Sequence, residues 1–393
     1  MRDNRWMPRL LVILLVTAAA FAGPSKGPKD IEHPLAADTP LPIKFTPYWC
    51  NKCDPDYLGF EEPRTPVTLL RVAPEKAAES LELDPGWTII QSPHFTILST
   101  LRKSKIKKKD GAFTIFDLQR LQKIFPKFKI GREGALVNAH QRAHLYQIRL
   151  ERLYAHFSLL TNNTKPFLGM MSRYEIFLFD DYAEHHALAD KYIGRTNDKS
   201  GLQEHRRDKP NYMLFTTAES QVVDNEGKGD KYLSNHVIHN VTHLLTDGSH
   251  NYYRETWAWL EEGLAHYYER MENPRHNTFC WTEGKKPDDL LKTDWQSTIF
   301  NQVRRKKDTP LSEWCEKLQP GELTAIEHGL CWSLVTYLIE NEPARLAKLM
   351  TQVDNLDTKP TSAEAIQFAF GISPTVLHKR WRDWVVASGK KKK

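Results

Sequence analysis

The chain has 393 residues, of which 40% are hydrophobic, and a formal net charge of +6. Three arginines and one aspartate in residues 1–22, together with the lysines of 390–393, account for that whole excess, so the remaining body is near neutral. This balance argues against a nucleic-acid partner, and 11 tryptophans with 17 phenylalanines argue against a disordered chain.

The first 22 residues have the layout of a secretory signal peptide. Three arginines precede the apolar run 10–22, which ends in the small-x-small pattern Ala20-Phe21-Ala22. An uncleaved anchor and a buried N-terminal helix are the alternatives. We expect an exported protein, either periplasmic, secreted or associated with the cell envelope. No stable membrane span is expected after cleavage, because no later apolar run is long enough.

Residues 23–85 are rich in proline and charge and predict a loosely structured arm. The arm contains a CxxC motif at Cys50 and Cys53. Because one CxxC supplies only half of a four-ligand zinc site, a local disulfide or a bridge to another cysteine is preferred. The other cysteines are predicted to form one disulfide and one buried thiol, namely Cys280 with Cys315, and Cys331.

We place one large domain at residues 86–388, followed by a lysine tail at 389–393. Residues 102–132 form a basic insertion in this domain. The cluster of cationic side chains at 102–109 favours a solvated loop over a surface that contacts an anionic envelope polymer.

The hydrophobic pattern predicts an α+β fold in which strands come early and helices dominate after residue 231. The predicted strands are Trp87–Gln91, His94–Ser99, Tyr174–Phe179 and Tyr212–Thr216. The predicted helices are Phe116–Ile124, Ala135–Leu160, Tyr182–Tyr192, Lys231–Leu245, Glu255–Met271, Leu323–Glu340, Pro343–Gln352, Ser362–Phe370 and Pro374–Ala387. The expected architecture is a small mixed sheet followed by a mainly helical half.

Two histidines at helical spacing form the centre of a candidate metal site. His239 and His243 are four residues apart in a predicted helix, which places both imidazoles on one face. Two neutral imidazoles in this arrangement can bind one zinc ion. The motif alone is weak, because a chain with 16 histidines often contains such a pair by chance. Hydrogen-bonded core histidines are the alternative.

The next predicted helix strengthens the zinc interpretation. It contains Trp259-Leu260-Glu261-Glu262-Gly263, and 18 residues separate His243 from Glu262. That length allows a loop and a return, so the second helix can direct the Glu262 carboxylate at the metal. Two histidines and one glutamate leave a fourth position open for water, which is typical of catalytic zinc sites.

These motifs resemble those of the gluzincin metallopeptidases, in particular the peptidase-MA-like domains of exported bacterial proteins. The family motif is HExxH followed by a W-L-x-E-G-x-A helix, whose last glutamate is the third zinc ligand and matches Glu262. The resemblance implies a zincin-like fold, a bound Zn²⁺ and peptide hydrolysis. It extends to four further segments: Ser92–Ile97, Cys331–Val335, Ala369–Gly371 and Trp381–Val385.

Asn240 departs from the family pattern, because it stands where the family has its catalytic glutamate. The resemblance implies that this residue would be the general base. A side-chain amide cannot accept a proton at neutral pH, and loss of a general base costs about 10²–10⁴ in rate. The sequence therefore predicts an inactive position at Asn240.

Four neighbouring side chains could also take part in the site. Glu261 points about 100° away from Glu262 around the helix and is a poor substitute base. His236 is predicted to be an ordinary polar residue near the helix start. His266 shares the face of Glu262 and either supports the site or covers the helix surface. His328 is a weak candidate electrophile, for which a surface or capping role is preferred.

We therefore expect a zinc-binding pseudo-peptidase with little or no hydrolysis. The alternatives are an active zinc peptidase with a non-standard base, and a metal-free secreted binding or structural domain. The expected partner is a polypeptide or an envelope component, with a polypeptide bound along the strand Tyr212–Thr216 by edge-strand addition.

Overall fold

All strands of the described residues precede residue 218, and most of the described helices follow residue 229. The computed structural model describes residues 49–53, 86–170, 173–193, 201–206, 211–219, 230–250, 256–279, 294–353 and 359–390. The predicted signal peptide and Cys280 lie outside these residues. The predicted order of a small mixed sheet followed by a mainly helical region is confirmed.

Eight strands are present in the described part of the chain. They are β1 (Trp49–Cys50), β2 (Thr88–Gln91), β3 (Phe95–Ser99), β4 (Ser104–Lys107), β5 (Gly134–Val137), β6 (Tyr174–Phe179), β7 (Gly201–Arg206) and β8 (Asn211–Thr217). Six of them form one sheet in the order β1-β2-β3-β6-β8-β7. The central strands β3, β6 and β8 run parallel, while β1, β2 and β7 pair antiparallel with their neighbours.

Eleven α-helices are present in the same described residues. They are α1 (Thr114–Ile124), α2 (Ala139–Thr161), α3 (Tyr182–Ile193), α4 (Asp230–Ser249), α5 (Ala258–Glu272), α6 (Trp295–Arg304), α7 (Leu311–Trp314), α8 (Ala325–Asn341), α9 (Pro343–Val353), α10 (Ser362–Phe370) and α11 (Pro374–Lys390). All nine predicted helices are present, with shifted ends in most. None of the helices described here is long and apolar enough to cross a membrane.

The predicted helix Ala135–Leu160 is wrong in its first turn. Its first residues belong to β5, and the helix begins at Ala139, because the Asn138 side chain accepts a hydrogen bond from the backbone N–H of Gln141. Strand β5 pairs with β4 through a close backbone approach at Gly134, whose φ is +147°. A Cβ at Gly134 would lie only 1.9 Å from the carbonyl oxygen of Ile106.

The cationic cluster at 102–109 is not the solvated loop that its charge indicated, because it contains β4. Its lysines at 103, 105, 107 and 109 are exposed, but Ile106 between them is fully buried. Leu118 and Leu121 of α1 join Ile106 in a small core that packs against α2. The alternation of exposed lysines with a buried isoleucine is the period-2 pattern of a strand covered on one face.

A buried ion network fixes the start of α4, the helix that carries the two motif histidines. Asp230, the first residue of α4, accepts hydrogen bonds from Arg142 Nε at 2.7 Å and from an Arg149 guanidinium N–H at 2.8 Å. The hydroxyl of Tyr146 donates a third at 3.0 Å. Because these three donors lie on α2, which packs on the sheet, the network positions α4 relative to β2 and β3.

Gly263 allows the helices α5 and α8 to pack closely. A Cβ at this position would lie 2.4 Å from Val335 Cγ2 and 2.8 Å from the carbonyl oxygen of Cys331. Since no side chain fits there, glycine is required directly after Glu262. The close approach places the first turn of α8, which contains His328, beside Glu262.

Candidate metal centre

The two motif histidines meet a glutamate inside the helical half. Nε2 of His239 lies 3.0 Å from Nε2 of His243 across one turn of α4. The carboxylate of Glu262, on α5, lies 3.8 Å from His239 Nε2 and 3.5 Å from His243 Nε2. All three residues are buried. The structure therefore brings together the three residues that the sequence pattern predicted as one ligand group.

The two carboxylate contacts suit a shared cation better than direct hydrogen bonds, whereas the 3.0 Å between the two imidazole nitrogens is also a hydrogen-bond distance. Bonds of about 2.0–2.2 Å at a tetrahedral angle place neighbouring ligand atoms about 3.3–3.6 Å apart. The carboxylate contacts of 3.5 and 3.8 Å exceed an ordinary N–H···O hydrogen bond. Two histidines and one carboxylate form the donor set of an open zinc site.

Carboxylates also contact the outer nitrogens of these histidines. Glu261 Oε1 lies 2.7 Å from Nδ1 of His243, and Glu269 Oε2 lies 3.5 Å from Nδ1 of His239. Metal-binding histidines usually donate this second N–H to a carboxylate, which fixes the ring and its tautomer. Glu261 thus contacts the outer nitrogen of His243 and does not face the side of the ring that carries Nε2.

The two imidazoles differ in their acid–base state. Burial lowers the pKa of His239 to about 3, so its ring is neutral and able to bind a cation. Burial alone would also lower the pKa of His243, but the carboxylates of Glu262 and Glu261 outweigh it and raise that pKa to about 9. A cation would replace the proton of His243 between these two carboxylates.

The structure corrects the prediction for His328 and excludes one of the two alternatives for His266. His328 is neither a surface nor a capping residue: it is buried, and its Nδ1 lies 3.1 Å from Nε2 of His266. His266 is also fully buried and does not cover the helix surface. Nε2 of His266 and Nδ1 of His328 each lie 3.6 Å from Oε2 of Glu262. Burial lowers the pKa of each histidine.

Glu262, His266 and His328 form a second group that could hold a cation, and it shares its carboxylate with the first group. Glu269 Oε1 lies 2.7 Å from His266 Nδ1. Nε2 of His328 and Nδ1 of His239 both lack a hydrogen-bond partner among the described residues. The first group is the better candidate, because the outer nitrogen of His239 still has a carboxylate oxygen, from Glu269, at 3.5 Å.

The Asn240 side chain is turned back along its own helix. Its Nδ2 donates a hydrogen bond to the carbonyl oxygen of His236 at 2.8 Å. His236 is buried in the second turn of α4, contrary to the prediction of an ordinary polar residue at the helix start. Burial lowers the pKa of His236 to about 4.

The CxxC motif is not a local disulfide. Cys50 and Cys53 are free thiols that lie against His140 and His144 at the start of α2. The four side chains form another group that could hold a cation. Sequence reasoning missed both histidines, although their i,i+4 spacing repeats that of the α4 pair. Cys315 and Cys331 are buried free thiols, which confirms the prediction for Cys331 and gives Cys315 no disulfide.

Comparison with known protein families and with curated protein sequences found no match in either. The chemistry of both clusters is therefore inferred from their own residues and geometry.

Proposed function

We propose that this chain is a zinc-binding pseudo-peptidase of the gluzincin type, with its ion held by His239, His243 and Glu262. The observation that carries the proposal is the triangle formed by the three buried ligand groups, with separations of 3.0, 3.5 and 3.8 Å. The mixed sheet followed by helices is compatible with a zincin-like fold.

Zinc is the cation that best suits this donor set. Imidazole nitrogens with a single carboxylate are typical ligands of zinc, whereas calcium and magnesium prefer all-oxygen sites. Only three protein ligands are present in this group, so a fourth position would remain for water or a ligand carbonyl. A bound zinc ion would polarise either group there.

The asparagine at position 240 supports the proposal that hydrolysis is weak or absent. Its amide cannot take a proton from a water molecule, and its Nδ2 is engaged with the His236 carbonyl oxygen. Glu261 offers no replacement, because its carboxylate contacts Nδ1 of His243 on the outer side of that ring. We therefore assign the site to binding rather than to rapid turnover.

We propose a polypeptide as the bound partner, with the sheet edge as its docking element. The predicted strand Tyr212–Thr216 cannot serve, because β8 lies between β6 and β7 and is hydrogen-bonded on both sides. Strands β1 and β7 form the two edges of the sheet among the described residues. We choose β7 for β-strand addition, because it has six residues and β1 has only two. The arginine-led apolar N-terminus supports export of the protein.

Metal content of a double variant tests the zinc site. We expect the His239→Asn/His243→Asn variant to contain one zinc ion fewer per chain than wild type, by elemental analysis after purification with zinc. His378→Asn is the matched control, since His378 is a mostly buried histidine paired with Asp308 at 3.0 Å on other elements. Equal zinc content in wild type and the double variant would refute the proposal.

A further inference from the structure

A second cluster of metal-binding side chains lies about the CxxC motif, separate in sequence from the α4–α5 centre. Cys53 Sγ lies 3.2 Å from Nε2 of both His140 and His144, and Cys50 Sγ lies 3.2 Å from Nε2 of His140. The two imidazole nitrogens are 3.0 Å apart. Four ligand atoms of two kinds thus converge on one point.

Hydrogen bonds cannot account for this arrangement. Nε2 of His140 has three neighbours within 3.2 Å: two sulfurs and the Nε2 of His144. A neutral ring nitrogen offers either one N–H or one lone pair, so it cannot form three hydrogen bonds at once. A single cation in the middle would satisfy all four atoms. Zinc bonds of about 2.0–2.3 Å at tetrahedral angles place ligand atoms about 3.3–3.8 Å apart, slightly more than observed.

The surrounding residues hold both halves of the cluster in place. Asn51, inside the CxxC turn, accepts a hydrogen bond from the N–H of Ile89 at 2.9 Å and donates one to the carbonyl of Trp87 at 3.0 Å. The ring of Phe125 meets both imidazoles edge-on, with centroids 5.1 Å away. His144 is fully buried, and Cys50 is nearly so.

We propose that Cys50, Cys53, His140 and His144 bind a structural zinc ion that fastens the N-terminal arm to the domain. A set of two cysteines and two histidines fills all four positions of tetrahedral zinc, which is typical of structural rather than catalytic sites. The ion supports β1, because that strand pairs with β2 through only two residues. It joins the arm, the helix α2 and, through Phe125, the basic insertion.

The two thiols of the motif interact with each other. A hydrogen bond from Cys53 lowers the pKa of Cys50, and both histidines add to that effect. The same pairing raises the pKa of Cys53. Because both sulfurs bind zinc as thiolates, a divalent cation would displace any protons that they carry.

Cobalt substitution distinguishes this site from the sulfur-free α4–α5 centre. Reduced, full-length protein stripped of metal and titrated with Co²⁺ should show a thiolate-to-cobalt charge-transfer band in the near ultraviolet. We expect the band to disappear in Cys50→Ser and in His144→Asn and to persist in the control Cys315→Ser. The zinc content of both site variants should fall by one ion per chain.

Three outcomes would overturn the proposal. The first is that folded, reduced wild-type protein shows no charge-transfer band. The second is that the band is unchanged in both site variants. The third is that protein purified with zinc and without reductant carries a Cys50–Cys53 disulfide, found by mass spectrometry of its peptides. The wild-type spectrum decides the matter even if a variant fails to fold.

Discussion

Glu261 and His243 form the shortest contact between α5 and α4 at the candidate metal centre, with Oε1 lying 2.7 Å from Nδ1. The adjacent residue, Glu262, reaches the other nitrogen of the same ring at 3.5 Å. Two consecutive glutamates thus contact opposite sides of one imidazole. We propose that Glu261 orients the ring and that Glu262 binds the same zinc ion as His243. This pairing gives separate, testable roles to residues that look equivalent in the sequence.

Replacing Glu261 should weaken the metal site without abolishing it. Glu261→Gln removes the negative charge at the outer nitrogen of His243, and loss of such a partner typically costs about 10–100-fold in metal affinity. Zinc titration against a competing chelator measures this change. Glu313→Gln, an exposed glutamate on α7, is the control and should bind like wild type. Unchanged affinity in Glu261→Gln would show that the contact has no influence on the metal.

Asn240→Glu tests whether the missing base explains weak turnover. If the rest of the site is intact, the variant should gain peptidase activity that a chelator abolishes, by about 10²–10⁴-fold over wild type. Asn240→Gln keeps the amide chemistry and should gain none. A general fluorogenic peptide library provides the measurement. Chelator-sensitive turnover by wild type itself would count against the pseudo-peptidase assignment.

The buried Asp230 should be important for stability. Burial alone would raise its pKa, but Arg142 and Arg149 outweigh that effect and lower it, so the ion network is charged. Asp230→Ala leaves both buried guanidinium groups without their shared partner, which should cost about 3–5 kcal/mol in the free energy of unfolding.

Urea unfolding of the Asp230→Ala variant and wild type, both with excess chelator, isolates this effect from metal binding. Asp383→Ala is the control, because its ion pair with Lys379 is exposed and should contribute less than about 1 kcal/mol. Equal losses in both variants would contradict the role of the network.

Glu175 on β6 should make stability depend on pH. Burial raises its pKa to about 8 from an ordinary value of 4.5, so the folded chain prefers its protonated form. The stability it contributes is fully present below pH 4.5 and is lost as the pH rises through 8. Glu175→Gln lacks this loss. We compare the free energy of unfolding of Glu175→Gln with that of wild type. The difference should shift in favour of the variant by a few kcal/mol between pH 4.5 and a pH above 8.

Denaturant unfolding of wild type and Glu175→Gln at these two pH values gives the comparison. Glu313→Gln, an exposed glutamate on α7, is the control and should follow wild type at both pH values. A difference between wild type and Glu175→Gln that stays constant with pH would show that Glu175 does not titrate as proposed.

Local patterns predicted the elements that carry the metal triad. The apolar run Tyr174–Phe179 became a central strand with the predicted bounds, and the spacing of His239 and His243 placed both rings on one face of α4. These features depend only on the period of a strand or helix. The position of His328 beside Glu262 could not be predicted in this way, because it follows from the close packing of α5 and α8 at Gly263.

Long-range convergence explains the other misses. His140 lies 90 residues from Cys50. Nothing in the sequence therefore indicated that the CxxC motif and the histidine pair lie close together. The cluster at 102–109 was predicted to be a solvated loop, because its one buried apolar residue, Ile106, stands among lysines. The placement of β8 inside the sheet follows from its pairing with β7, which no pattern in the sequence had marked as a strand.

An anomalous difference map collected at the zinc absorption edge, from crystals grown with zinc, tests the central claim most directly. We predict a peak bonded to Nε2 of His239, Nε2 of His243 and the carboxylate of Glu262. A map without a peak at this position, in crystals where these three side chains are ordered, would contradict the zinc-binding account.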